Sequence, residues 1–197
     1  MTIKKGEWLL IIFNLIYIIA FSTYYLKIKN IEFLWYIVIM LLIFGLLFFT
    51  QRITKFSYPI LWALSAWGLM HMAGGGLIVK GKVLYAFHMI PIWAHEHFYI
   101  LKYDQFVHAY LYFVMIFVIW HLIKNNLNKK PNMYILYPVI TLTAIGIGAF
   151  NEIAEFLPVL FLKETGVGGY YNTAWDIVFN ALGAILGAFT LWIFKKR

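Results

Sequence analysis

Apolar residues fill this chain in six long blocks, separated by short polar breaks. A bilayer's hydrocarbon core is crossed by about 20 apolar residues in a helix. The blocks therefore read as membrane-spanning helices at about 8–26, 33–50, 58–73, 104–123, 133–162 and 173–194. The third is short and runs into Gly74, Gly75 and Gly76. The fifth is long and contains Pro138 and Pro158, which predicts a tilt or a kink. In the sixth, Gly183 and Gly187 with Ala184 and Ala188 give small residues at four-residue spacing. That spacing favours close packing against a neighbouring helix, within the chain or in a homo-oligomer. No internal repeat or soluble domain interrupts the pattern. The fold class expected is all-α: one integral membrane domain, 1–197, built as a polytopic six-helix transmembrane bundle.

The one long connection lies at 74–103, between the third and fourth blocks. Val79-Lys80-Gly81-Lys82-Val83 reads as a small hairpin turn. The stretch 86–100 is aromatic, is broken by Pro91, and carries His88, His95, Glu96 and His97. It reads as an interfacial or re-entrant segment over the helices, with its histidines at headgroup level. Long connections of this kind are often lids or binding loops.

Composition supports the membrane reading. The chain is 63% hydrophobic and 12% charged, with mean hydropathy +0.81, against about 45–50% and about 25% in soluble domains. There is no Cys, which excludes disulfides, thiolate metal sites and a Cys nucleophile. The first block lacks a small-residue cleavage site and is expected to be a retained helix. The net charge of +8 lies in short loops and at the two ends. It suits anionic membrane lipids and not nucleic acid. Ten Lys and Arg fall on the side of the termini and six on the other. The excess places both termini in the cytoplasm and the 74–103 segment outside.

The chemistry is carried by a few polar residues in the apolar helices. Asp104 and His108 open the fourth helix, and Asp176 and Asn180 open the sixth. His71 is near the end of the third, and Asn151, Glu152 and Glu155 are near the end of the fifth. With alternating helix directions, all of these fall at one depth, at the extracytoplasmic end. Asp104/His108, Asn151/Glu155 and Asp176/Asn180 are four apart, and Glu152/Glu155 three apart, so each pair shares a helical face. Taken singly, Asp104 and Asp176 also fit helix-start caps, and His71 a packing residue. Convergence is what argues for a site, because a carboxylate in hydrocarbon is costly and usually functional. Oxygen-rich sites with a few imidazoles suit Zn²⁺, Mn²⁺, Fe²⁺ or Mg²⁺. A divalent metal is thus the expected cofactor, with Asp104, His108 and Asp176 as ligands. Glu152, Glu155 and His71 are the expected catalytic groups, supported by Asn151 and Asn180.

Several of these stretches resemble the YjdF-like family of bacterial and archaeal inner-membrane proteins, which is defined by a domain of unknown function. Tyr103-Asp104-Gln105-Phe106-Val107-His108 resembles its Y-D-x-x-V-H signature. His71 with Gly74 resembles H-x-x-G, Glu152 with Glu155 resembles E-x-x-E, and 169–184 resembles its closing segment. Gln105 stands where many members carry a basic residue, and Asn172 where many carry Asp. A fainter similarity runs to the VanZ-like family, linked to glycopeptide resistance. It rests on Asp104 to His108, Glu155, and Asp176 through Asn180 to Gly183. The resemblance implies a multi-pass protein of a prokaryotic cytoplasmic membrane. It supports the site without bringing a reaction. Three functions follow as expectations. One is a metal-dependent enzyme acting on a lipid or lipid-linked substrate. Another is an ion- or proton-coupled transporter. The third is an assembly or resistance factor whose polar cluster locks the helices.

Overall fold

The computed structural model describes residues 4–94, 99–127 and 131–196. Six helices dominate it: α1 Lys5–Lys27, α2 Ile31–Thr54, α3 Tyr58–Gly76, α4 Tyr103–Ile123, α5 Met133–Phe161 and α6 Tyr170–Lys196. Each apolar block became one helix, extended at its ends by capping residues. Asn30 accepts from Phe33 N at 3.1 Å to start α2, and Asn132 accepts from Tyr134 N at 3.0 Å to start α5. Among the described residues, five of the six are long and apolar enough to cross a membrane. The sixth, α3, has 19 residues and packs against α1, α2 and α4. Leu9, Ile16, Leu42, Phe49, Phe150 and Phe161 are exposed on the outside. Such a continuous apolar exterior fits lipid and not water.

Two halves meet at α4. One core joins α1, α2 and α3 around Tyr17, Tyr25, Phe33, Met40 and Met72. The other joins α4, α5 and α6 around Tyr112, Ile116, Ile140, Ala144 and Ala184. Gly183 and Gly187 face the backbone of α4 at Ala109 and Phe113. The small-residue face is thus occupied within the chain. Tyrosine hydroxyls tie α3 in place: Tyr25 donates to Met72 O, Tyr103 to Met70 O and Tyr110 to Ala63 O.

Pro158 does not break α5. Its missing N–H frees the carbonyl one turn earlier, at Ala154. The Trp35 indole of α2 donates to that carbonyl at 3.4 Å, so the freed acceptor becomes an interhelical contact.

The connection 77–102 adds strands to the all-α reading. β1 Ile78–Val79 pairs antiparallel with β2 Lys82–Val83, and β3 His88–Ala94 with β4 Tyr99–Lys102. Lys80 and Gly81 have φ of 50° and 77°, the geometry of a tight primed hairpin turn. Ile78, Val79, Val83, Ile90 and Ile92 favour strands over helix. His95, Glu96 and His97 lie outside the described residues.

The bundle has two distinct ends. At one, Arg52 of α2 meets Glu7 of α1 at 3.2 Å, and His121 of α4 bonds Thr54 O at 2.9 Å. Lys195 of α6 sits 3.5 Å over the Trp120 ring. The other end gathers the start of α2, α4 and α6 and the end of α3 and α5. Glu32 lies there, buried, and accepts from Gly166 N of the α5–α6 loop at 2.6 Å.

Candidate functional site

At this second end, α4, α5 and α6 aim their polar residues at one imidazole. His108 projects from the second turn of α4 and is buried. Its Nδ1 lies 2.9 Å from Asn180 Oδ1. An amide oxygen only accepts, so this nitrogen carries the proton and donates. In the neutral imidazole Nε2 is then the lone-pair nitrogen. It lies 3.6 Å from Asp104 Oδ1 and 3.8 Å from Glu155 Oε1. Glu152 Oε1 stands 3.6 Å from Nδ1.

Hydrogen bonds orient the carboxylates from outside. Asn151 Nδ2 donates to Glu155 Oε1 at 2.7 Å. Asn172 Nδ2 donates to Asp176 Oδ2 at 2.7 Å and to Asp104 Oδ2 at 3.3 Å. Lys102 Nζ donates to Asn172 Oδ1 at 3.3 Å. Burial pulls the Lys102 amine below its usual range, while Asp104 and Asp176 oppose that pull. Asp176, Asn180 and Glu152 are 1%, 1% and 9% exposed. Asp176 Oδ1, Glu152 Oε1 and Asn180 Nδ2 have no hydrogen-bond partner among the described residues. Buried polar atoms are normally satisfied, so three orphans in one cluster make it a candidate binding site.

The spacing fits ligand positions around a cation better than direct hydrogen bonds. Gaps of 3.6–3.8 Å from Nε2 are too long for N–H···O bonds, which run at about 2.7–3.2 Å. Ligands on a tetrahedral cation with bonds of about 2.0–2.2 Å stand about 3.3–3.6 Å apart. Asp104, His108 and Asp176 present ligand atoms within 4.8 Å of one another, and so do His108, Glu152 and Glu155.

Seven of the expected residues thus come together: Asp104, His108, Asn151, Glu152, Glu155, Asp176 and Asn180. His71 stands apart from them. Its Nδ1 is bonded to the Tyr85 hydroxyl, and its ring stacks on Trp67 and is flanked by Tyr36 and Phe33. A small cavity of about 40 Å³ has His71 on one wall and Asn151 and Glu155 on another. That is room for about one to three waters, so His71 shares a cavity with Asn151 and Glu155.

Asn172, Tyr85 and Gly148 also shape the site, beyond the groups expected from the sequence. Asn172 bridges two carboxylates, although its amide made it an unpromising ligand. Tyr85 enters from the 77–102 connection and rests on Gly74, where an added Cβ would meet its ring. Gly148 lets α6 approach α5, because a Cβ there would lie 2.9 Å from Asn180 Nδ2. A spacing signal existed only for Asn172, four residues before Asp176.

An apolar multi-helix bundle with a buried acidic and histidine cluster defines a multi-pass membrane protein with an enclosed polar site. The chain belongs to the family described as "Predicted membrane protein (DUF2238)", whose profile matches residues 8–197. This agrees with the YjdF-like resemblance. No curated protein and no solved structure matches the chain.

Proposed function

We propose that this protein binds a divalent metal in the His108 cluster and acts as a membrane enzyme on a lipid or lipid-linked substrate at the extracytoplasmic face. The observation that carries the reading is the ring around Nε2 of His108. Carboxylate oxygens of Asp104 and Glu155 flank it at 3.6 and 3.8 Å, close to ligand spacing and beyond hydrogen-bond spacing, and the buried acceptors Asp176 Oδ1 and Glu152 Oε1 have no partner among the described residues. Asp104, His108 and Asp176 are the ligands. Asn180 holds the imidazole in the required tautomer, as outer partners of metal-bound histidines do. Glu152 or Glu155 moves the proton, and His71 exchanges it through the small cavity. A cation held there supplies Lewis acidity and makes water a nucleophile near neutral pH. Zn²⁺, Mn²⁺, Fe²⁺ and Mg²⁺ all suit this donor set. The excess of Lys and Arg on the side of the termini supports a cytoplasmic placement for them, with the site facing outward. The VanZ-like similarity falls on the same residues and adds no reaction.

Transport is the weaker reading. A proton or ion path needs polar groups across the membrane, and Glu7 is the sole acidic side chain described at the other end, where it pairs with Arg52.

Elemental analysis of the detergent-purified protein tests the proposal, with Asp104→Ala beside it. About one divalent metal per chain is expected in the wild type and little in the variant. A ligand at 100 times its Kd stabilises by about 2.7 kcal/mol, and a chain of this size gains about 2–4 °C per kcal/mol. A chelator should therefore lower the wild-type melting temperature by about 5–10 °C and leave the variant unmoved. Metal-free protein whose melting ignores both added metal and chelator would sink the reading.

A further inference from the structure

A cavity of about 490 Å³ lies away from the polar cluster, between α1, α2 and α3 at the end of the termini. Ligand sites commonly fall at about 300–1,000 Å³. The wall is apolar except at its mouth, where Glu7 and Arg52 form their ion pair, at Gln51, and at the Asn14–Ser65 contact. On α1 the wall runs from Trp8 to Ile18, and on α2 from Arg52 back to Leu41. At 1.5 Å per residue both walls are about 15 Å deep. That is half of a hydrocarbon core of about 30 Å, the depth of one leaflet.

Gly45 explains why the space is open. It sits inside α2, where glycine costs about 1 kcal/mol against alanine. It lines the cavity, and a Cβ placed on it meets nothing within 4 Å. A longer side chain would project into the space that the other walls enclose. The mouth is formed by Arg52 and Glu7, and Lys4, Lys5 and Lys55, each within three residues of one of them in the chain, are exposed. A guanidinium carries five donors in a fork, so an ion pair to Glu7 and a phosphate contact are compatible.

We propose that this cavity is a binding site for one acyl chain of an anionic glycerophospholipid, whose phosphate sits at Arg52. The cavity's depth of about 15 Å matches an acyl chain anchored at headgroup level within one leaflet. Arg52 at its mouth supplies the contact for the phosphate. The site is independent of the metal cluster at the opposite end.

Native mass spectrometry of the delipidated, detergent-solubilised protein provides the test. The probes are phosphatidylglycerol, phosphatidylcholine and free oleate. Gly45→Leu fills the cavity, and Gly146→Leu is the control, because Gly146 is exposed on α5 and a Cβ there also meets nothing within 4 Å. The wild type should bind one phosphatidylglycerol at least tenfold more tightly than phosphatidylcholine. Gly45→Leu should lose that adduct at an unchanged melting temperature, and Gly146→Leu should keep it. Arg52→Gln should bring the two phospholipids level. Equal lipid uptake by the wild type and both Leu variants would mean annular lipid only and overturn the proposal. So would oleate uptake that depends on Gly45 while Arg52→Gln changes nothing, because the headgroup assignment would then fail.

Discussion

Asn180 orients the His108 imidazole, and Gly148 makes room for Asn180. The amide of α6 can approach α5 only because position 148 has no side chain. A methyl there would stand 2.9 Å from Asn180 Nδ2. The amide must turn or retreat, and the 2.9 Å contact to His108 Nδ1 is the first to be lost. Outer partners of metal-binding histidines are worth about 10–100-fold in affinity. Gly148→Ala should therefore weaken metal binding by about tenfold or more in a competition titration, while the helices stay folded by circular dichroism. Unchanged affinity would mean that Asn180 does not orient the imidazole. Residues at this scale were unequally legible. Asp104, His108, Asp176 and Asn180 announced themselves by four-residue spacing in apolar helices. Gly148 did not, because one glycine among several in α5 carries no local mark. Glu32 did not either. Its partner, Gly166 N, is remote in sequence, and an acid in a first helical turn already has a sufficient local explanation.

At the scale of elements, glycine positions separate packing from tolerance. Gly183 of α6 lies against the Ala109 carbonyl of α4, so a methyl would collide with backbone that cannot rotate away. Overpacking usually costs about 1–3 kcal/mol. Gly146 of α5 faces open space, where alanine relieves a helical glycine by about 1 kcal/mol. Thermal unfolding in detergent should thus show Gly183→Ala several degrees below the wild type and Gly146→Ala level with it or above. A tolerated Gly183→Ala would contradict the close α4–α6 crossing. Helices were the legible elements because the bilayer imposes length and polarity together. The connection 77–102 was legible only at Lys80 and Gly81, where the turn needs its residues to accept positive φ. The longer β3–β4 pair depends on backbone pairing between His88 and Lys102, and between Ile92 and Ile100. Aromatic and apolar composition alone does not distinguish that pairing from an interfacial coil.

The whole molecule is polarised from end to end. The exposed bases Lys4, Lys5, Arg52 and Lys55 lie at the end of the termini, and the carboxylates around His108 lie at the other. Positive residues are retained on the cytoplasmic side during insertion, so this asymmetry predicts that the termini lie in the cytoplasm. Lys27, Lys29, Lys80, Lys82, Lys102 and Lys163 oppose it, which makes orientation a sharper test than the existence of the bundle. The chain has no Cys, so single cysteines can be introduced into the natural background. Lys82 in β2 and Asn126 after α4 are exposed at opposite ends. In intact cells, an impermeant maleimide should label Lys82→Cys and not Asn126→Cys, and permeabilisation should expose both. The reverse pattern would turn the protein over in the membrane. The His108 cluster would then face the cytoplasm, its substrate would have to come from the inner leaflet, and the acyl-chain cavity would sit in the outer one.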